Sequence, residues 1–284
     1  MNSKDKVFQE DIAVITARIN GRSSLSGKTI LVAGGGGFMG SYLVSALTEL
    51  NKNFKRPCKI ISVDNYITSK KIKEVDDKEK NLVYITHDIK KQLKIRGKID
   101  YIIHAAGIAS PVYYKKYPLE TLDVAVQGTR NLLDLAVKKK VKSFIFFSSS
   151  EIYGDPPTSE IPTKETFNGN VSCIGPRSCY DESKRLGETL CKTYFELYKV
   201  PIKIVRPFNI YGPKMNKNDF RVIPTMIKKA LLGEHLTIHA NGKQTRSFCY
   251  ISDAIVGFFN ILLSSRNGEV YNIGNAKEEI NMNK

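Results

Sequence analysis

The sequence predicts an α/β protein built on a doubly wound parallel sheet, with a smaller C-terminal lobe. Three observations predict it. Short apolar runs alternate with helical patterns from Thr29 to Val205. The first run, Thr29-Ile30-Leu31-Val32-Ala33, opens into Gly34-Gly35-Gly36-Gly37-Phe38-Met39-Gly40 and a helical stretch with Leu43, Ala46, Leu47 and Leu50 on one face. Beyond Pro207 the alternation loses its regularity, as expected of a separate lobe.

Composition narrows the classes. A chain of 284 residues, 42% hydrophobic and 25% charged, buries a substantial core and is not disordered. No uncharged apolar run reaches the roughly 18–20 residues that span a bilayer, so membrane insertion is not expected. The polar stretch from Met1 to Asp11 has no apolar signal-peptide region. The five cysteines, Cys58, Cys173, Cys179, Cys191 and Cys249, are scattered without metal-ligand spacing. They read as reduced thiols of a cytoplasmic protein with no metal. The net charge of +16 resides mostly on lysines spread along the chain, as at Lys90-Lys91, Lys115-Lys116 and Lys138-Lys139-Lys140. That pattern is a solvated surface, and with no aromatic-plus-basic motif beside it nucleic acid is not an expected partner.

The elements follow in order. Residues 1–26 form a polar extension, with Ile12, Ile15 and Ile19 at helical spacing, that packs on the main domain. In the glycine turn, Gly34 and Gly37 permit a tight bend and close approach to a pyrophosphate. Gly40 lets the next helix pack on the strand, with its N-terminus, Phe38-Met39, towards the phosphates. The next strand, Lys59 to Val63, ends at Asp64-Asn65, where an acid binds adenosine ribose hydroxyls. A carboxylate there repels a 2′-phosphate, which favours NAD over NADP; Lys70 and Lys71 lie nearby. Strands at Leu82–Ile85 and Tyr101–His104 lead to Asp88-Ile89 and Ala105-Ala106-Gly107. A long amphipathic helix is expected from about Leu119 to Lys140. It precedes the strand Phe144–Phe147, whose carboxyl end carries Ser148-Ser149-Ser150-Glu151. In such sheets ligands gather at the carboxyl ends of the strands. A helix from Tyr180 to about Tyr198 is expected to bury Leu186, Leu190, Tyr194 and Leu197, and Ile202–Arg206 forms the next strand. A helix ending near Leu232, another after Tyr250-Ile251-Ser252-Asp253, and a short strand at Val270–Gly274 complete the chain.

Tyr180 and Lys184 share a helix face one turn apart, and an ammonium beside a phenol favours phenolate. The pair alone decides little: chance supplies roughly one or two Tyr-x-x-x-Lys matches in a chain this rich in both, and Tyr66–Lys70 is another. Tyr180 is selected by its place after the glycine turn and after Ser149.

These motifs, with Arg206-Pro207-Phe208-Asn209 and Tyr250-Ile251-Ser252-Asp253, resemble the extended short-chain dehydrogenases/reductases of the nucleotide-sugar epimerase/dehydratase branch. The resemblance runs from about Gly27 to the end. Within the branch the UDP-glucuronate decarboxylases are most similar, through Ala109-Ser110-Pro111, Ser150-Glu151-Ile152-Tyr153-Gly154-Asp155-Pro156 and Ile174-Gly175-Pro176-Arg177-Ser178-Cys179-Tyr180-Asp181-Glu182-Ser183-Lys184-Arg185. The resemblance implies Tyr180 as base, Lys184 on the nicotinamide ribose and lowering the tyrosine pKa, Ser149 on the sugar 4-hydroxyl, and Glu151 near C5, with Ser150 beside it. It implies NAD bound by Gly34, Gly37, Phe38, Met39, Gly40, Asp64, Asn65, Asp88, Ile89, Ala105, Ala106, Tyr180, Lys184 and Pro207. Asn209, Arg221 and Arg246, with Ser110, Arg177 and Tyr250, would hold the nucleotide-sugar, UDP-glucuronate being favoured.

The alternatives are a 4,6-dehydratase of the dTDP-glucose or GDP-mannose type and a 4-epimerase. dTDP-glucose dehydratases carry Asp-Glu where this chain has Ser150-Glu151, GDP-mannose dehydratases carry Ser-Glu, and 4-epimerases usually lack the glutamate. A non-catalytic NAD- or RNA-binding relative rests only on the charge. The family implies a homodimer. It also implies residues 27–206 as the NAD-binding Rossmann-type domain, rejoined by 244–266, with 207–243 and 267–284 as the nucleotide-sugar lobe. Relatives continue beyond Asn281-Met282-Asn283-Lys284, so a further helical segment is expected there. Ala125 stands where many relatives have asparagine, which removes one supporting hydrogen bond.

Overall fold

The computed structural model describes residues 3–69, 79–216, 219–238, 242 and 244–281. The alternation becomes α1 (Ser3–Arg18), β1 (Thr29–Ala33), α2 (Phe38–Asn51), β2 (Lys59–Asp64), β3 (Leu82–Thr86) and β4 (Tyr101–His104). Next come α3 (Pro111–Lys116), α4 (Pro118–Asp123), α5 (Thr129–Lys139), β5 (Ser143–Phe147), α6 (Ser178–Tyr198) and β6 (Ile202–Pro207). The remainder comprises β7 (Ile210–Tyr211), α7 (Val222–Leu231), β8 (Thr245–Arg246), β9 (Cys249–Tyr250), α8 (Ile251–Leu263), β10 (Glu269–Ile273) and β11 (Ile280–Asn281).

A seven-stranded sheet runs in the order β10-β6-β5-β4-β1-β2-β3, and every neighbouring pair in it is parallel. Successive strand residues face opposite layers, as the two-residue period requires. Ile30 and Val32 enter the core shared with α1, α2 and α8, whereas Leu31 and Ala33 enter the core shared with α5 and α6. On β5, Ile145 and Phe147 face the first layer, and Phe144 and Phe146 the second. Both faces are covered, which is why these strands read as unbroken apolar runs. The chain order reverses between β1 and β4, and there the carboxyl ends open a crevice.

The N-terminal extension packs on the domain as expected. Phe8, Ile12, Ile15 and Ile19 are buried against α2 and α8. Asp11 accepts hydrogen bonds from Tyr42 (3.0 Å) and Tyr250 (3.1 Å), tying α1 to α2 and β9. Arg18 reaches Asp253 on α8 at 2.6 Å.

The helix expected from Leu119 to Lys140 is present: helical residues run without a break from Pro118 to Lys139. Tyr117 (φ −128°, ψ 59°) separates α3 from α4, because Pro118 lacks the N–H needed to continue a helix. A single π turn over Val124–Gly128 joins α4 to α5 within that helix. Two expectations are corrected. The buried face of α6 is as expected at Leu190 and Tyr194, which pack on the core, and is otherwise rotated. Tyr180, Ser183, Lys184, Gly187, Cys191 and Tyr194 face inward, while Leu186 and Leu197 are exposed. The sheet accepts the face whose small residue, Gly187, allows close approach: a Cβ there would lie 2.4 Å from the Phe146 ring. Finally, β10 falls in the stretch assigned to the lobe, yet it is the edge strand of the main sheet, since α8 returns the chain beside β6. Lys70 and Lys71 lie outside the described residues.

Candidate active site

The glycine turn after β1 is shaped by close contacts. Gly34 adopts φ +85°, and a Cβ on it would lie 2.5 Å from the backbone nitrogen of Ala106. A Cβ on Gly40 would lie 1.9 Å from the Gly34 carbonyl, so α2 meets the turn only with glycine there. Gly37 is extended (φ −75°, ψ 176°), caps α2 and lines the crevice, so the helix N-terminus begins at its edge.

Asp64 closes the far side. Its two carboxylate oxygens accept from Gly36 N–H (2.9 Å) and Tyr66 N–H (2.7 Å), leaving lone pairs on both for further donors. Burial raises its pKa, and these backbone hydrogen bonds oppose the rise. A cleft of about 300 Å³ lies between these groups, lined by Gly34, Gly37, Asp64, Asn65, Asp88, Ile89, Ala105 and Ala106. Glycine backbone, helix N-terminus and a carboxylate with spare acceptors fit a dinucleotide. Phe38, Met39, Gly40 and Pro207 do not line the cleft: Phe38 and Met39 pack on the apolar core, and Pro207 ends β6. Sequence reasoning missed Thr68, His87, Gly107 and Ile108, which do line it. For Gly107 a signal existed in the run after His104.

Gly107 links the cleft to the Tyr-Lys helix, since a Cβ on it would lie 3.1 Å from Lys184 Nζ. Lys184 is 4% exposed and donates to the Phe147 carbonyl at 2.7 Å. Burial pulls its pKa down to about 8, against the charge of Glu188 one turn along α6. Tyr180 is 6% exposed, and burial pushes its pKa up to about 12. A hydrogen bond with Ser149 and the charge of Arg221 oppose that rise; Glu151 and Asp181 reinforce it. The expected lowering by Lys184 does not dominate, because the ammonium is turned to the β5 carbonyl, 5.9 Å from the phenol ring centre.

β5 delivers the other reacting groups through a single 3₁₀ turn, Ser150–Tyr153, capped by Ser149, whose hydroxyl accepts from Glu151 N–H at 3.2 Å. Glu151 is ion-paired with Arg177, and Arg177 Nη2 also lies 3.7 Å from Asp181 Oδ1. Tyr114 of α3, absent from the sequence expectations, stacks on Tyr180. Ser149, Glu151, Arg177, Tyr180 and Lys184 are thus brought together.

The remaining expected substrate groups are less uniform. Ser110 is buried at the start of α3 with its hydroxyl unpartnered. Arg221, paired bidentately with Asp219 (3.0 and 2.6 Å), is near enough to influence Tyr180. Asn209 donates to the Ser247 carbonyl at 3.1 Å, and Arg246 is exposed on β8. Tyr250 stands apart, its hydroxyl engaged by Asp11. Arg206 is structural: buried, it pairs with Glu188 through two bonds (2.9 and 2.6 Å) and donates to Tyr153.

Residues 30–274 match the NAD dependent epimerase/dehydratase family. The chain is 42% identical over 264 residues to UDP-glucuronic acid decarboxylase 5 of Arabidopsis thaliana, covering 91% of this chain and 73% of that protein. It is 39% identical to UDP-glucuronic acid decarboxylase 1 of Xenopus tropicalis, covering 88% of this chain and 57% of that protein. Among solved structures, UDP-N-acetylglucosamine 4-epimerase from Methanobrevibacter ruminantium M1, in complex with UDP-N-acetylmuramic acid, superposes with TM-score 0.79. It is 28% identical and the match covers 91% of this chain and 79% of that one. A dTDP-glucose 4,6-dehydratase from Bacillus anthracis in complex with NAD gives TM-score 0.72 at 25% identity, covering 90% and 77%.

Proposed function

The chain belongs to the NAD dependent epimerase/dehydratase family, and we propose that within it the protein is a UDP-glucuronate decarboxylase that makes UDP-xylose through a 4-keto intermediate, with NAD recycled. One observation carries the reading: Glu151 faces Arg177 beside Tyr180 and Ser149. A lone glutamate near sugar C5 repels a substrate carrying a carboxylate at that carbon. Arg177 neutralises it and leaves guanidinium donors for the C6 carboxylate. The decarboxylases among its relatives support the same assignment.

The residues divide the work. Asp64 holds the adenosine ribose hydroxyls and the N-terminus of α2 faces the pyrophosphate. When bound, NAD supplies the acceptor and later the donor of hydride at substrate C4. Lys184, between Phe147 and the cleft, holds the nicotinamide ribose. Tyr180, in the phenolate form that the Ser149 hydrogen bond and the Arg221 charge favour, takes the C4 hydroxyl proton while Ser149 shares that hydroxyl. The resulting C4 ketone is β to the C6 carboxylate. The C5–C6 bond therefore breaks with its electron pair passing into an enolate, and carbon dioxide leaves. C5 is protonated on the Glu151 side, and Tyr180 returns its proton to O4 as the ketone is reduced. Arg221, Arg246 and Asn209, with Ser110, hold the nucleotide-sugar, and residues 207–243 make the lobe that carries Asn209 and Arg221.

A homodimer belongs to the same reading. Leu119 on α4 and Leu186, Leu197 and Tyr198 on α6 are exposed apolar side chains that such an association would cover. A cytoplasmic location agrees with five unpaired thiols. Incubation with NAD⁺ and UDP-glucuronate should release carbon dioxide and yield UDP-xylose. A 4-keto-6-deoxy sugar from dTDP-glucose or GDP-mannose, with no carbon dioxide from UDP-glucuronate, would replace the decarboxylase with a dehydratase.

A further inference from the structure

If the site decarboxylates, it consumes one proton per turnover. The C5–C6 bond breaks, carbon dioxide departs, and C5 gains a hydrogen that the substrate does not supply. Tyr180 cannot be the net source, because its proton goes back to O4. A second acid must feed C5 and be recharged from water. This requirement rests on the decarboxylase reading.

Asp181 occupies the place from which that proton can come. It follows Tyr180 on α6, is 8% exposed, and its Oδ1 is buried without a hydrogen-bond partner. That oxygen lies 3.7 Å from the Arg177 nitrogen that also pairs with Glu151, so two carboxylates share one guanidinium. Arg177 Nε is likewise buried and unpartnered. The charged and titratable groups facing Asp181 are Arg177 at the N-cap of α6, Glu151 from the 3₁₀ turn, and Glu182, Tyr180 and Cys179 on α6 itself. Tyr114 faces the same cluster from α3. Burial raises Asp181 to about 6; Arg177 opposes the rise, and Glu151 and Glu182 add to it. With both carboxylates ionised the trio carries one net negative charge. A C6 carboxylate arriving at Arg177 adds another, and like charges around a single cation favour protonation of the most buried acid.

We propose that Asp181 is the proton reservoir of the site: it takes up a proton as the substrate carboxylate enters, and that proton passes through Glu151 to C5. The balance is closed. Asp181 loses its proton to Glu151, Glu151 loses it to C5, and Asp181 regains one from water; the hydride leaves C4 and returns to it, so nothing is oxidised overall. Asp181 acts through Glu151 and is a positioning residue.

The test separates uptake from turnover. NAD-loaded Y180F, which cannot oxidise C4, is mixed with UDP-glucuronate at pH 7 in weak buffer containing a pH indicator. Close to one proton taken up per site is expected, with none on mixing with UDP-glucose. Uptake should vanish in Y180F/D181N and persist in Y180F/D181E. Equal uptake in the D181N double variant, or none while UDP-glucuronate binds, overturns the proposal. Should D181N not fold, the infrared difference spectrum of Y180F decides. A protonated carboxyl band must appear on addition of UDP-glucuronate, and its absence overturns the proposal equally. With Tyr180 intact, D181N should lower kcat roughly 10- to 100-fold, flatten its pH profile and leave KM nearly unchanged. If the unaltered protein releases no carbon dioxide from UDP-glucuronate, the decarboxylase reading fails. If it does release carbon dioxide and the uptake results are negative, the reservoir alone fails.

Discussion

The ring of Tyr114 lies stacked on that of Tyr180, with centroids 5.5 Å apart and planes 17° from parallel. Tyr114 is 3% exposed, and its hydroxyl senses Arg177, Glu151 and Asp181. The stack fixes the plane of the proposed base, and the second phenol borders the carboxylate cluster. Replacing Tyr114 by alanine should cost about 3 kcal/mol of stability from the lost buried ring. It should also lower kcat by roughly 10-fold or more through the freed Tyr180. Phenylalanine at the same position keeps the stack and should restore most of both. Steady-state kinetics beside thermal melts of Y114A and Y114F check this; equal loss in the two would deny the stack its role.

Asp64 offers spare acceptors at the cleft and repels a 2′-phosphate. D64N should weaken NAD binding by about 1.5–3 kcal/mol, since it removes charge-assisted hydrogen bonds to two ribose hydroxyls. NADP binding should fall less or improve. Calorimetric titration of both dinucleotides reads the ratio.

Lys203 is a buried lysine without a carboxylate. Its ammonium, 0% exposed, donates to Ser143 (2.8 Å) and Asn267 (2.9 Å), and burial lowers its pKa to about 8. Below about 8 folded and unfolded chains both carry the charge, and folding bears the desolvation cost. Between about 8 and the ordinary lysine value of 10.5 only the unfolded chain stays protonated, so this residue makes stability rise with pH. Denaturant melts of the unaltered protein and K203M should differ by a contribution that grows by about 3 kcal/mol across that window. A difference independent of pH would mean that Lys203 is not buried as described.

Asp11 accepts from two phenols at once, and burial raises the pKa of each: Tyr42 strongly, Tyr250 to about 12. D11A leaves both hydroxyls without their acceptor, at a cost of about 2–3 kcal/mol. That corresponds to a melting temperature lower by roughly 4–10 °C. D11N, which keeps an acceptor oxygen, should lose less. A scanning calorimeter distinguishes them.

The fold was legible where chemistry is local. Buried parallel strands are apolar on both faces, so β1, β2, β4, β5 and β6 stood out as runs bounded by polar residues. The glycine turn was legible because only glycine fits at Gly34 and Gly40. The π turn between α4 and α5 was not, because the apolar period of the helix continues through it. The inward face of α6 was misread for a related reason. Leu186 and Leu197 point outward, while the sheet chose the stripe where Gly187 lets Phe146 approach.

By itself the sequence determined the order of elements, the dinucleotide turn and the Tyr180–Lys184 spacing, since these are written in it directly, and its resemblance to a known family implied Ser149, Glu151 and Arg177 beside them. Only the tertiary structure decided how these groups bear on one another. It buried Tyr180 so that desolvation outweighs Lys184, turned that ammonium to Phe147, and laid Tyr114 against the phenol. It also gathered Glu151 and Asp181 around Arg177. Solvation and pairing depend on the distances between segments far apart in the chain, and those distances come into being only when both faces of the sheet are packed.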